Sequence, residues 1–218
     1  MGSGARRWHR RPEHAGSIAV EFTMSELDLP PTGSPPPPEP RRDDDSTFAR
    51  MFARRSVWLR SPLDHEASSR LSAELLTLDA ESHRPIELII NSPGGPVDAA
   101  MGVVDTLDFV HAPVTTLCIG QALGTAAAIL ACGSSGRRAT PTARLSLRLG
   151  SVELAGSASE LGSQARHVLE LRDRLAVRLA AATGHLPALI VIDLDDGGFM
   201  TAEQAVGYGL IDEVADRR

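Results

Sequence analysis

The stretch Pro85–Arg138 limits what this chain can fold into more than any other. It opens with a short apolar run, Ile86 to Ile90, that stops at Asn91-Ser92-Pro93-Gly94-Gly95. A short apolar run ending in a glycine turn is the pattern of a buried parallel strand. Val97, Met101, Val104, Leu107 and Val110 then recur at helical spacing. After His111-Ala112-Pro113 a second β-branched run, Val114 to Ile119, breaks at Gly120, and Gly124 to Cys132 is rich in small residues. Such a segment suits a helix packed closely on its neighbours. Strand, glycine turn and helix, repeated, predict an α/β fold of crossover units with both turns at one edge of a parallel sheet. The crevice beyond those strand ends is where such sheets place their sites.

The flanks extend this pattern. Phe48, Met51 and Phe52 predict a short amphipathic helix over Thr47–Arg55, with Ser46 as its cap. Ser56 to Arg60 is the first strand, and Glu66 to Glu81 a helix with Leu71, Leu75, Leu76 and Leu78 on its apolar side. Arg144 to Leu149 alternates as a half-exposed strand should, and Ser159 to Thr183 is a long helix stopped by Gly184. Leu189 to Ile192 has the composition of a further strand; a helix over Phe199–Gly209 and a strand near Ile211 follow. Residues 1–45, with prolines crowded between Pro30 and Pro40, form a disordered, Pro-rich tail ahead of a domain spanning 46–218.

Composition narrows the function classes. A net charge of −6 with no basic stripe gives no reason to expect nucleic acid. No apolar run approaches the roughly 18 residues of a membrane span, so no membrane partner is expected. The basic segment Arg6–Arg11 lacks the long apolar stretch of a signal peptide. Cys118 and Cys132 sit within apolar runs as buried, reduced thiols, which suits a cytoplasmic protein. The chain contains no lysine. Nothing in the sequence calls for a metal or a cofactor.

The phrase INSPGG, the helix ending in DTLDFV and the phrase TLCIGQA, in that order and spacing, resemble the proteolytic subunit of the Clp protease, ClpP. RSVWLRSPLDHEASSRLSAELLTLDAES before them and FMTAEQAVGYGLIDEV after them resemble the same family over roughly residues 47–215. The resemblance implies a ClpP/crotonase-type α/β fold with repeated β-β-α and βαβ units and a C-terminal handle helix. Ser151 to Ala158 would be the strand and loop of that handle. It also implies a ring, homomeric or mixed with ClpP paralogues, an AAA+ Clp ATPase that docks on it, and unfolded proteins as substrates of the complex.

A serine peptidase needs a nucleophile, a base, a group orienting that base, and amides that stabilise the oxyanion. The family carries its serine in GQAxSMGA; here Gly120-Gln121-Ala122-Leu123-Gly124-Thr125-Ala126-Ala127 puts Gly124 in its place. The family's histidine ends a strand reading R-x-M-I-H; here Arg144-Leu145-Ser146-Leu147-Arg148 puts Arg148 there. Only the aspartate position is retained, as Asp193, six residues before Phe199. The resemblance assigns the oxyanion amides to Gly95 and Thr125, and an ion pair between Arg148 and Asp193 would replace the missing histidine–aspartate bond. Arg148 stays protonated and cannot act as a base, and a serine–lysine dyad is impossible without lysine. Ser92 lies in the INSPGG turn and reads as a turn residue.

Loss of nucleophile or base alone costs about 10⁶ in kcat in a comparable enzyme. The chain therefore reads as a degenerate, ClpR-like pseudo-peptidase acting as a structural or regulatory ring subunit. Two alternatives stay open at this point. One is an active serine-type endopeptidase subunit with an unorthodox or partner-completed site. The other is a crotonase-like acyl-CoA binder using the Gly95 and Thr125 amides on a thioester carbonyl.

Overall fold

The computed structural model describes residues 42–150 and 155–215. Helix α1 (Arg42–Ala53) leads into strand β1 (Ser56–Leu59), helix α2 (His65–Glu81) and strand β2 (Ile86–Ser92). Helix α3 (Val97–Phe109), strand β3 (Val114–Leu123), helix α4 (Thr125–Ala131) and strands β4 (Arg137–Ala139) and β5 (Arg144–Ser146) follow. The long helix α5 (Ala158–Thr183), helices α6 (Pro187–Asp196) and α7 (Ala202–Tyr208), and strand β6 (Glu213–Val214) complete the domain. The sheet runs β1-β2-β3-β4-β6, and β5 pairs with the far end of β3. Every strand pairing is parallel. This is the α/β architecture expected from the repeated strand–turn–helix pattern.

The predicted strands each bury one face, while Glu87, Ile89, Thr115 and Leu117 on the other face are only partly shielded. Ile86, Leu88 and Ile90 of β2 and Val114 and Cys118 of β3 are shielded from solvent, as is every residue of α4. The small residues of α4 let it lie directly on the sheet, where Thr116 Oγ1 donates to Leu130 O at 2.7 Å. Burial pushes the thiol of Cys118 up to about 12 and that of Cys132 up to about 11, so both are inert.

Several boundaries differ from expectation for identifiable reasons. Strand β3 does not end at Gly120 but passes through it at φ +88° and continues to Leu123, because that glycine admits a bulge without breaking the ladder. Leu76 is exposed, and α2 buries Leu71, Leu75 and Leu78 instead. The run Leu189–Ile192 is not a strand: it lies inside α6, which Pro187 initiates and which buries Ile190 and Leu194 one helical turn apart. The α7 helix starts at Ala202 rather than Phe199, since Thr201 and Gln204 form a reciprocal capping box. Helix α1 begins at Arg42, ahead of the predicted Thr47, and Phe48 meets Trp58 of its own domain at 6.0 Å. Most of the predicted handle strand, 151–154, and the Pro-rich segment up to residue 41 lie outside the described residues.

One buried charge ties α2 to the loop between α3 and β3. Asp79 Oδ1 accepts from Ala112 N at 2.7 Å, His111 N at 3.1 Å and His83 Nδ1 at 3.3 Å. These donors, Ala112 N–H foremost, hold its carboxyl down at about 2. A carboxyl is ordinarily half-ionised near 3.9, so the ionised form stabilises the fold fully above that value. The contribution is lost as pH falls from about 4 to about 2. Asp79→Asn keeps an acceptor but cannot titrate. Its melting temperature should fall less steeply over that window than the unmodified chain's; parallel acid profiles would contradict the assignment.

Candidate functional site

The two glycine turns that follow β2 and β3 meet at one edge of the sheet, as the sequence pattern predicts. Ser92 anchors the first. Its buried hydroxyl donates to Ser61 O at 2.6 Å and accepts from Gly94 N at 3.1 Å, so it is a turn residue and not a free nucleophile. Gly94 has φ +82°, and a Cβ there would strike Leu123 O. A Cβ on Gly95 would strike the carbonyl oxygen of Leu63, whose own N–H donates to Gly94 O at 3.0 Å. Close backbone approach, not only conformational freedom, fixes both glycines.

The second turn carries Gly124, at φ +55° and ψ −120° between β3 and α4. Such a conformation is strained for any residue with a side chain. It is the sharp strand-to-helix turn that lifts a nucleophile out of a sheet edge in hydrolases of other folds. Gly124 N donates to Ser146 O at 2.7 Å, tying the turn to β5. A Cβ on Gly124 would lie 3.1 Å from Arg148 O and 3.7 Å from Leu149 Cα. The turn thus aims position 124 at the segment where a base would stand, and the chain supplies no side chain to aim.

Thr125, the next residue, joins the two turns. It is 1 % exposed. Its Oγ1 accepts from Gly95 N at 2.8 Å and donates to Gly95 O at 3.1 Å. Both roles of the hydroxyl are therefore used on one glycine, and its proton is directed to a carbonyl rather than to a base. Thr125 is no substitute nucleophile.

A family model described as Clp protease matches residues 41–218, the whole of this domain. The chain belongs to the Clp protease family. The family implies an oligomeric ring served by a Clp ATPase, and the chain is a homologue of the ring's proteolytic subunit.

The expected ion pair between Arg148 and Asp193 is absent. Asp193 Oδ2 instead accepts from Tyr208 Oη at 2.5 Å, and the Arg148 side chain is exposed. The phenol on α7 reaches the carboxylate within a half-buried pocket, whereas a guanidinium at residue 148 would lose hydration to do so. Burial and the adjacent carboxylate raise the Tyr208 hydroxyl above its ordinary range, so it remains a donor. Asp193 is committed to Tyr208, beside a pocket of about 230 Å³ that Leu147, Phe199 and Met200 also line.

Two histidines line a cleft that begins beside the first turn. His65 at the start of α2 and His167 on α5 line a cleft of about 250 Å³ with Pro96, Val97, Asp98 and Leu171. His65 Nε2 stands 3.7 Å from Asp98 Oδ2, with both side chains exposed. The cleft begins at Pro96, immediately after Gly95. The sequence signal was available, since Asp64 caps α2 and leaves His65 at its first position, but only the fold brings α5 across it. His83 and His111 sit together on Asp79, and His185 Nε2 lies 2.9 Å from Tyr208 O.

Proposed function

We propose that this chain is a ClpR-like, non-catalytic member of a Clp protease ring. It acts as a structural or regulatory subunit beside active ClpP paralogues, in an assembly to which a Clp ATPase delivers unfolded protein. One observation carries the reading: the sharp strand-to-helix turn at residue 124 is present while the residue on it is glycine, which offers no side chain to react. Here the elements that build a subunit persist, including the long helix α5 with its complete capping box at Ser157 and Glu160 and its glycine stop at Gly184.

The other two readings lose support from the same geometry. A partner-completed peptidase still needs a nucleophile from this chain or a partner, and the nearest hydroxyl, Thr125, is spent on Gly95. An acyl-CoA binder needs the Gly95 amide, which is already bonded. Two buried free thiols favour a reducing compartment, and we place the protein in the cytoplasm.

The test is assembly. Mixed with an active ClpP paralogue from its own host and examined by native mass spectrometry, the purified chain should appear in rings of defined mixed composition. A chain that stays monomeric, alone and with each paralogue, is not a ring subunit.

A further inference from the structure

The active-site crevice carries an obstacle beyond the missing serine and histidine. Stabilising the oxyanion of an acyl transfer takes two converging N–H groups that are free when the substrate's carbonyl arrives. The resemblance gives that role to the amides of Gly95 and Thr125. In the structure the Gly95 N–H already has an acceptor, the Thr125 hydroxyl, at 2.8 Å. The same hydroxyl also donates to Gly95 O at 3.1 Å, so the contact is two-way and sits on a residue 1 % exposed to solvent. A buried, doubly used hydroxyl is not displaced by a ligand at little cost, since displacement would leave its own donor and acceptor unpaired. Neighbouring atoms hold it there. Gly94, at φ +82°, brings its α-carbon so near that a Cβ would stand 3.0 Å from Thr125 Oγ1, and Leu63 closes over Gly95 from the other side.

We propose that Thr125 is a built-in occupant of the carbonyl-binding cradle: its hydroxyl takes the Gly95 N–H that a peptide or other acyl oxygen would need. The crevice is then closed to acyl groups independently of the lost nucleophile and base. This inference rests on the non-catalytic reading above and sharpens it. Restoring only the two missing side chains is insufficient; the cradle must also be emptied.

Two measurements test it. The first uses the unmodified residues at 124 and 148 and reads amide hydrogen exchange at Gly95. Thr125→Ser keeps the hydroxyl and should keep the protection. Thr125→Ala removes it and should raise exchange at Gly95 by about tenfold or more, the loss expected for one net hydrogen bond, with Gly124 N–H unchanged. The second compares Gly124→Ser/Arg148→His with the same pair carrying Thr125→Ala, and with the pair carrying Thr125→Ser, by fluorophosphonate labelling of the new serine. Circular dichroism melts verify that all three are folded. The alanine-containing triple variant should label about 10²-fold faster than either hydroxyl-bearing variant, the factor associated with one oxyanion donor.

Unchanged Gly95 exchange in Thr125→Ala overturns the proposal. So do equal labelling rates across the three folded variants, or no labelling in any of them. Labelling of the unmodified chain would instead defeat the non-catalytic reading, so the two failures are distinguishable.

Discussion

Gly95→Ala should lower the melting temperature by roughly 10 °C or more. The reason is geometric. A methyl group at this position would run into the carbonyl of Leu63, a backbone atom that cannot swing aside as a side chain can. Relief requires shifting the Ser61–Leu63 segment, and that segment is held at both ends: Ser61 O accepts from Ser92 Oγ, and Leu63 N donates to Gly94 O. Leu63 is itself wholly buried. A loss of about 4 kcal/mol belongs to this class of overpacking with broken buried hydrogen bonds. Two comparisons keep the expectation specific. Gly124→Ala meets mainly backbone strain, of order 1–3 kcal/mol. Gly198→Ala meets nothing within 4 Å and should be near neutral. If all three shift the melting temperature alike, the close-approach account of Gly95 is wrong.

The second large effect is expected at Arg55. This residue is buried and adopts φ +61°, a left-handed conformation unusual for a side chain of its size. No carboxylate neutralises it among its bonded partners. Its guanidinium donates to four carbonyls, Leu78 O at 2.9 Å, Ser82 O at 2.7 Å, Arg84 O at 2.8 Å and Pro85 O at 3.3 Å. These lie at the end of α2 and in the loop entering β2, so one side chain satisfies the helix's last carbonyls and fixes the route of the chain. Arg55→Ala removes these donors from a half-buried loop, leaving Leu78 O with only the Ser82 N–H. A cost of about 3 kcal/mol follows, read as a drop of roughly 6–12 °C in melting temperature. Arg55→Lys, with one donor head in place of a fork, should recover only part of it. A shift of about 2 °C or less for Arg55→Ala would mean that water replaces the guanidinium without penalty.

The sheet was legible in the sequence where periodicity and burial agree. Ile86 to Ile90 and Val114 to Ile119 are short, mostly apolar runs that alternate with helical segments, the pattern of a parallel sheet with crossover helices. Misreadings arose where local composition and tertiary demand diverge. Leu189 to Ile192 has strand-like residues, yet Pro187 before it and Leu194 after it extend the pattern to helical length. Strand β4 was missed because Arg137 and Arg138 disguise it. Arg137 bonds Asp212 together with the carbonyls of Ala182 and Gly209, and Arg138 bonds Glu87, so charges stand where apolar alternation would mark a strand.

The site was legible as a set of positions and not as a set of contacts. The resemblance names Gly124, Arg148, Asp193, Gly95 and Thr125 as positions and says nothing of what they touch. That Asp193 pairs with Tyr208, or that the Thr125 hydroxyl sits on Gly95, depends on groups 15 and 30 residues apart in sequence. No local spacing encodes such pairs. Tyr208 lies within the C-terminal phrase already singled out, but its partner Asp193 lies on another helix, α6.

Fluorophosphonate labelling of the purified chain, free of contaminating ring relatives and followed by intact-mass spectrometry, bears most directly on the central claim. With glycine at residue 124 and arginine at residue 148, the proposed non-catalytic reading predicts that the chain gains no adduct. Its peptide turnover should lie about 10⁶-fold below that of a competent relative. A stoichiometric adduct on any hydroxyl of this chain, accompanied by turnover, would contradict the account.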